Sequence, residues 1–337
     1  MPDLLQNKVF VFANNPKPSE SEIYFLDMIS HGANLGKISN HEVLSYNENY
    51  DVYKVTTPTG PRVIKLSLDP KFNFKNDAEP LHGPKTISII NIDIGVPVIA
   101  KIEEFISAPT LAELGESSIN FAWPTVVKAI IENSKEKHPT SFKTYLKLLF
   151  KKTSLESNEN LDVLVKTNST NYQLIKSGAE ELKKEVEQLY KPWYSANTLI
   201  HGNISSDNLF LDGEKAYISS WGNAYSAHVF LELASFNMNV NLSQSVEYNM
   251  FKSLKELSGT ENSWEDYIQC KTFVASFKFL ECVFSFIKET FLFEGKRRDE
   301  LLKLSSYFCG NLGIFEKLSG FRKNQEELLR LFSSPVV

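Results

Sequence analysis

The chain of 337 residues is long enough for two domains with a sizeable core, and 42% apolar with 23% charged residues is the composition of a globular protein. A net charge of −5 argues against nucleic acid as the main partner, because binding a phosphate backbone needs a basic face. The 15 glycines form no cluster of the kind a glycine-rich phosphate loop shows, and no stretch approaches the roughly 18 apolar residues of a membrane span.

The opening "MPDLLQNKVFVFANNPKPSES" has no basic segment followed by a long apolar run, so no signal peptide is expected. Ser19 and Glu22 have the spacing of a capping box, and Ile23, Leu26 and Ile29 follow at helical intervals; a short helix should end at the glycine of "HGANLG". The period then changes. "HEVLSYNENYDVYKVTTPTGPRVIKLSL" alternates, is rich in Val, Tyr, Thr and Ile, and is interrupted by "NEN" and "PTGP", which predicts three antiparallel strands with Lys65 in the third. "KTISIINI" reads as a helix or the tail of one. "GVPVIAKIEEFISAPTLAEL" reads as two further strands and a polar turn into a helix, giving a small unit of five strands and one helix.

The remainder is mostly helical. Residues Lys151 to Asn171 are polar and read as a long solvated connection, and "SGAEELKKEVEQLYKPW" is an amphipathic helix stopped by Pro192. Phe273, Phe277, Leu280, Phe284, Ile287 and Phe291 form one apolar stripe, the pattern of a core helix, and "NQEELLRLFSSPVV" ends the chain with another short helix. Cys270, Cys282 and Cys309 are odd in number and show no CxxC spacing, which reads as reduced thiols in a cytoplasmic protein.

The chemistry concentrates in "HGNISSDN", residues 201 to 208, and "ISSWGNAY", residues 218 to 225. Phosphoryl transfer needs positioned phosphates, Mg²⁺, and a carboxylate to orient the attacking hydroxyl. The two segments resemble the loop H-G-D-x-x-x-x-N and the metal segment I-D-W of the aminoglycoside phosphotransferase and choline kinase-like family. The resemblance implies an α+β, protein kinase-like bilobal fold, with a small antiparallel β lobe and a larger, mostly helical lobe. Its boundaries are a helical extension over 1–37, a β-rich lobe over 38–106, and a helical lobe over 107–337 that carries the catalytic-loop remnant 199–225. His201 then shapes the loop, Asn203 holds the place of the base, and Asn208 and Ser220 hold those of the metal ligands; Asp207 matches a further family residue. Lys65 matches the lysine that holds the phosphates, with Glu79 as candidate partner and Asn47 to Asn49 as the covering turn. Glu104, Phe105 and Ile106 match the hinge facing an adenine ring, and Leu211 joins them in the nucleotide site. "VFLELA" places His228 and Glu232 where acids are expected.

Two acids are therefore missing. An amide cannot take a proton at neutral pH, and a general base contributes 10²- to 10⁴-fold. A hydroxyl is a weak, neutral ligand for Mg²⁺, which prefers carboxylates and phosphates. The favoured expectation is a pseudokinase with a binding or regulatory role. Such a protein would hold ATP or another nucleotide with Mg²⁺ weak or absent, its partner being a small molecule or a protein, with no membrane involved. The alternative is an active phosphotransferase that acts on a small hydroxyl or amino compound through displaced acids such as Asp207 or Glu232. Plainer roles also exist, with Lys65 a solvated strand lysine and Asp207 a turn residue.

Overall fold

The computed structural model describes residues 20–46, 50–67, 69, 74, 78, 80–93, 97–136, 140–152, 180, 183–184, 186–240 and 242–292. The turn at 47–49, Glu79, the polar stretch beyond residue 152 and the C-terminal helix read from the sequence lie outside them. The described residues divide into two compact units. One lies within Met1–Thr110 together with Asn208–Asn223, the other within Leu111–Asp207 together with Ala224–Val337.

The first unit starts with helix α1 (Glu20–Gly32), as the capping-box spacing predicts. Five antiparallel strands follow: β1 (Asn40–Tyr46), β2 (Asp51–Thr57), β3 (Gly60–Ser67), β4 (Thr86–Asp93) and β5 (Pro97–Glu104), in the spatial order β1-β2-β3-β5-β4. Alternation along the strands gives the sheet one apolar face. Tyr53, Val55, Ile64, Leu66, Val98, Ala100 and Ile102 pack there against Leu26 and Ile29 of α1. Burial of each such side chain stabilises by about 1.5–3 kcal/mol. The residues between them point the other way, and this second face carries Lys65, Lys101 and Glu103.

Five strands were expected, but not these five. "KTISIINI" is the edge strand β4 rather than a helix, and "GVPVIAKIEE" supplies one strand rather than two. The run Thr86-Ile87-Ser88-Ile89-Ile90 is crowded with β-branched side chains, which lose rotamer freedom in a helix and pack well on a pleated surface. Pairing with β5 along its whole length then settles the conformation.

A hairpin far along the chain belongs to this unit: β7 (Leu209–Asp212) and β8 (Lys215–Ile218), joined through Gly213 at φ 53°. Its anchors are specific. The Leu211 N–H donates to Pro109 O at 2.9 Å, the Ile218 N–H donates to His82 O at 2.8 Å, and Phe210 bridges Thr110.

The second unit comprises α2 (Leu111–Leu114), α3 (Ile119–Asn133) and α4 (Phe142–Lys152), then β6 (Thr198–Ile200) paired antiparallel with β9 (Tyr225–Ala227). The helices α5 (Val229–Val240), α6 (Gln244–Ser258) and α7 (Trp264–Leu292) complete it. Ser243 caps α6 by accepting the Val246 N–H, and Gly259 at φ 65° ends it. In α7 the expected core stripe is present at Phe273 and Phe277. They stack among Phe142, Tyr190 and Tyr194, with ring centroids 4.8 Å apart for Tyr194 and Phe273. No helix among the described residues is long and apolar enough to cross a membrane.

The packing makes a direct contrast. Ile64→Ala, at a fully buried site, should cost about 2–5 kcal/mol, while Ile87→Ala on the exposed side of the edge strand should cost under about 1 kcal/mol. Urea denaturation followed by circular dichroism checks both.

Candidate functional site

The loop that follows β6 is fixed from beneath by one carboxylate. Glu232, in the first turn of α5, accepts the main-chain N–H of His201 on Oε2 and that of Gly202 on Oε1, the latter at 3.0 Å. Two buried amides are thereby satisfied that would otherwise cost about 1–3 kcal/mol each. Ser235, one turn further along α5, donates to Gly202 O at 2.6 Å. Gly202 has φ 74°, and a Cβ there would come within 2.6 Å of the Tyr225 ring, so the position requires glycine on both counts. His201 is buried and its Nδ1 accepts the Asn203 N–H at 3.1 Å, which places the proton of the neutral ring on Nε2. This bond ties the ring to the main chain of the loop two residues on.

Asn203 is held by side chains from two helices. Its Oδ1 accepts from Asn239 Nδ2 at 3.0 Å and from Lys278 Nζ at 3.2 Å, and Asn239 Nδ2 also donates to Ile204 O at 2.7 Å. Lys278 Nζ lies 3.5 Å from Asn239 Oδ1 and is buried. A buried cation, not an acid, therefore stands against the Asn203 side chain. Asp207 at the end of the loop is exposed.

Burial pushes the Glu232 carboxyl up to about 7, against the opposing pull of the His201 and Gly202 hydrogen bonds and of the nearby Lys278 charge. His228, just before α5, accepts the Phe230 N–H on Nδ1 as a helix cap; burial lowers its pKa to about 4, so it stays neutral. Glu232 has both oxygens engaged by main-chain amides, and His228 is a neutral imidazole.

The remaining predicted residues lie in the first unit. Asn208 and Ser220 flank the β7–β8 hairpin, closed by a bond from the Ser219 N–H to Asn208 O at 2.9 Å. Ser220 is exposed and sits at φ 70°, a left-handed conformation that costs a non-glycine residue of order 1 kcal/mol. The bond from Trp221 Nε1 to Ile218 O, 2.6 Å and buried, holds the turn in that shape. Leu211 is buried in β7.

Lys65 is not a solvated strand lysine. It is buried and forms an ion pair with Glu103 at 2.8 Å; Glu103 also pairs with Lys101 at 3.0 Å. Lys65 and Lys101 are directly opposite in the β3–β5 register, where like charges would repel, and the shared carboxylate offsets that repulsion. At the end of β5, the Glu104 N–H donates to Lys85 O at 2.9 Å; just beyond it Lys54 Nζ stands 4.4 Å above the Phe105 ring, and Phe105 and Ile106 are half-buried.

Sequence reasoning missed Asn239, Lys278, Lys101 and Glu103. A signal existed for the first: Glu232, Ser235 and Asn239 recur at helical spacing in a segment that is otherwise apolar but for Asn237, which marks one polar face turned inward. Lys278 announced itself only as a lysine within the apolar run of α7.

A five-stranded antiparallel sheet, a loop pinned to a buried helix and a strand-turn-strand segment after it define a protein kinase-like α+β fold of the phosphotransferase type. Solved structures agree. The choline kinase LicA from Streptococcus pneumoniae superposes with a TM-score of 0.59 at 15% identity, covering 87% of this chain and 100% of that one. The same protein in complex with AMP gives 0.55 at 15% identity, covering 88% and 99%. A thermostable mutant of aminoglycoside phosphotransferase APH(4)-Ia, in ternary complex with ADP and hygromycin B, gives 0.54 at 11% identity, covering 94% and 100%. No family model matches the chain, and no curated protein matches it by sequence.

The raised Glu232 pKa carries a sign. The folded protein holds the proton up to about pH 7, while the unfolded chain loses it near 4.5. Its stabilising effect is complete below about pH 4.5 and is lost as pH rises through 7, by up to about 3 kcal/mol. Glu232→Gln removes this titration. The stability difference between wild type and variant should therefore shift in the variant's favour from pH 5 to pH 8, read from urea midpoints.

Proposed function

We propose that this protein is a pseudokinase: a phosphotransferase fold that binds a nucleotide without transferring its phosphoryl group, and serves as a binding or regulatory module. The observation that carries the reading is the setting of Asn203. Its side-chain oxygen is occupied by Asn239 and Lys278. An amide so held accepts no proton, and a buried ammonium beside it disfavours any rise in basicity there. Glu232 does not substitute, because both its oxygens are engaged by main-chain amides.

The donor set at the metal positions points the same way. Asn208 supplies an amide and Ser220 a hydroxyl. Mg²⁺ favours oxygen ligands that include carboxylates, so these residues fit it poorly.

Nucleotide binding is supported by what the first unit keeps. Lys65 is held in place by Glu103, and the chain after the hinge segment is tied to β7 at Leu211. Complexes of the structural neighbours with ADP and AMP make a nucleotide the natural ligand to try.

ATP with EDTA should raise the unfolding temperature of the full chain in a thermal-shift titration, with no further rise on adding Mg²⁺ and no phosphate release. A shift that requires Mg²⁺, accompanied by turnover lost in an Asp207→Asn variant, would establish the active-enzyme reading instead. Ser220→Asp should then restore part of the metal site, since aspartate tolerates the left-handed backbone better than most residues. Mn²⁺ binding in the presence of ATP, followed by electron paramagnetic resonance, should tighten at least tenfold over wild type.

A further inference from the structure

A lysine ammonium carries three N–H donors that turn about one bond, so its acceptors decide where each donor points. The acceptors of Lys65 belong to one residue. Among the described residues its polar partners are Glu103 Oε1 at 3.0 Å and Glu103 Oε2 at 2.8 Å. Two acceptors for three donors leave one N–H over, on a side chain that is only 6% exposed. A buried donor in that state favours a ligand that brings an acceptor to it.

Glu103 reaches Lys65 from the neighbouring strand. In the β3–β5 register Lys65 stands opposite Lys101, and Glu103 stands opposite Val63. The carboxylate therefore crosses diagonally to Lys65, and it meets Lys101 Nζ at 3.0 Å as well. Main-chain pairing fixes this placement, since the register runs unbroken from Arg62 and Glu104 to Ser67 and Ile99. A donor aimed by groups built into a paired sheet is set before any ligand arrives.

We propose that Glu103 is the positioning residue of the phosphate contact: it takes two N–H groups of Lys65 and so aims the third at a phosphate oxygen of the nucleotide. This rests on the nucleotide reading above. It goes beyond that reading by assigning the role to a carboxylate of β5, and by confining its effect to the phosphate end of the ligand. Adenosine, which has the base and ribose without a phosphate, is indifferent to it.

Isothermal titration calorimetry of the full chain with ADP and with adenosine, both in EDTA, tests the assignment. Wild type should bind both, and ADP more tightly. Glu103→Gln offers Lys65 one carbonyl oxygen in place of two carboxylate oxygens. It should weaken ADP by about tenfold or more, the equivalent of one charge-assisted hydrogen bond, and leave adenosine within about twofold. Glu103→Asp keeps the charge on a shorter arm and serves if Glu103→Gln does not fold; it too should weaken ADP and spare adenosine. In a Lys65→Met background, Glu103→Gln should change ADP affinity by less than about twofold, because a positioning residue acts through the lysine. The proposal fails, with the nucleotide reading intact, if the Glu103 variants bind ADP as tightly as wild type or lose adenosine as strongly as ADP. It fails in the same way if Glu103→Gln weakens ADP equally with Lys65→Met present, or if wild type binds adenosine as tightly as ADP. If wild type binds neither compound, the nucleotide reading falls and the proposal falls with it.

Discussion

One buried carboxylate organises the second unit. Glu232 accepts two consecutive main-chain amides, those of His201 and Gly202, and so sets the loop's path before any side chain of the loop acts. Its place in the first turn of α5 helps, since the positive end of a helix favours an acid. The arrangement explains the neighbouring sequence. Gly202 must be glycine because its backbone is left-handed and Tyr225 fills the space beside it. His201 must be neutral on Nδ1 to accept the Asn203 amide. Ser235 and Asn239 continue the polar face of α5 along the same loop.

The loop conformation depends on main-chain bonds to Glu232 and not on the side chain at position 203. The side chain of the loop nearest α7 is an amide, and a lysine donates to it. Geometry and chemistry are separable here because different atoms carry them. At Ser220 too the main chain sets the shape, with a left-handed backbone at a non-glycine residue.

The first unit keeps its charge differently. Lys65 is paired within the sheet, by Glu103 on the adjacent strand, and the same carboxylate holds Lys101. A buried ion pair is weak evidence for stability, because desolvation offsets much of the attraction, but removing one member strands a charge and costs several kcal/mol. The cluster therefore constrains position more than it stabilises. It holds Lys65 at a fixed point on the sheet face opposite the apolar core.

Sequence alone determined the three-strand run with Lys65 and the helix α1, because each rests on local spacing, two residues per strand repeat and 3.6 per helical turn; the fold class followed from the resemblance carried by "HGNISSDN" and "ISSWGNAY". It misread β4, since a short apolar run rich in isoleucine fits either period and only pairing with β5 decides between them. It could not find the partners of the site residues. Lys65 meets Glu103 across 38 residues and Asn203 meets Lys278 across 75, and no local pattern encodes such contacts. Only the packing of α7 near α5 brought the Lys278 cation to Asn203, because long-range contacts follow from how whole helices pack rather than from the residues beside them in the chain.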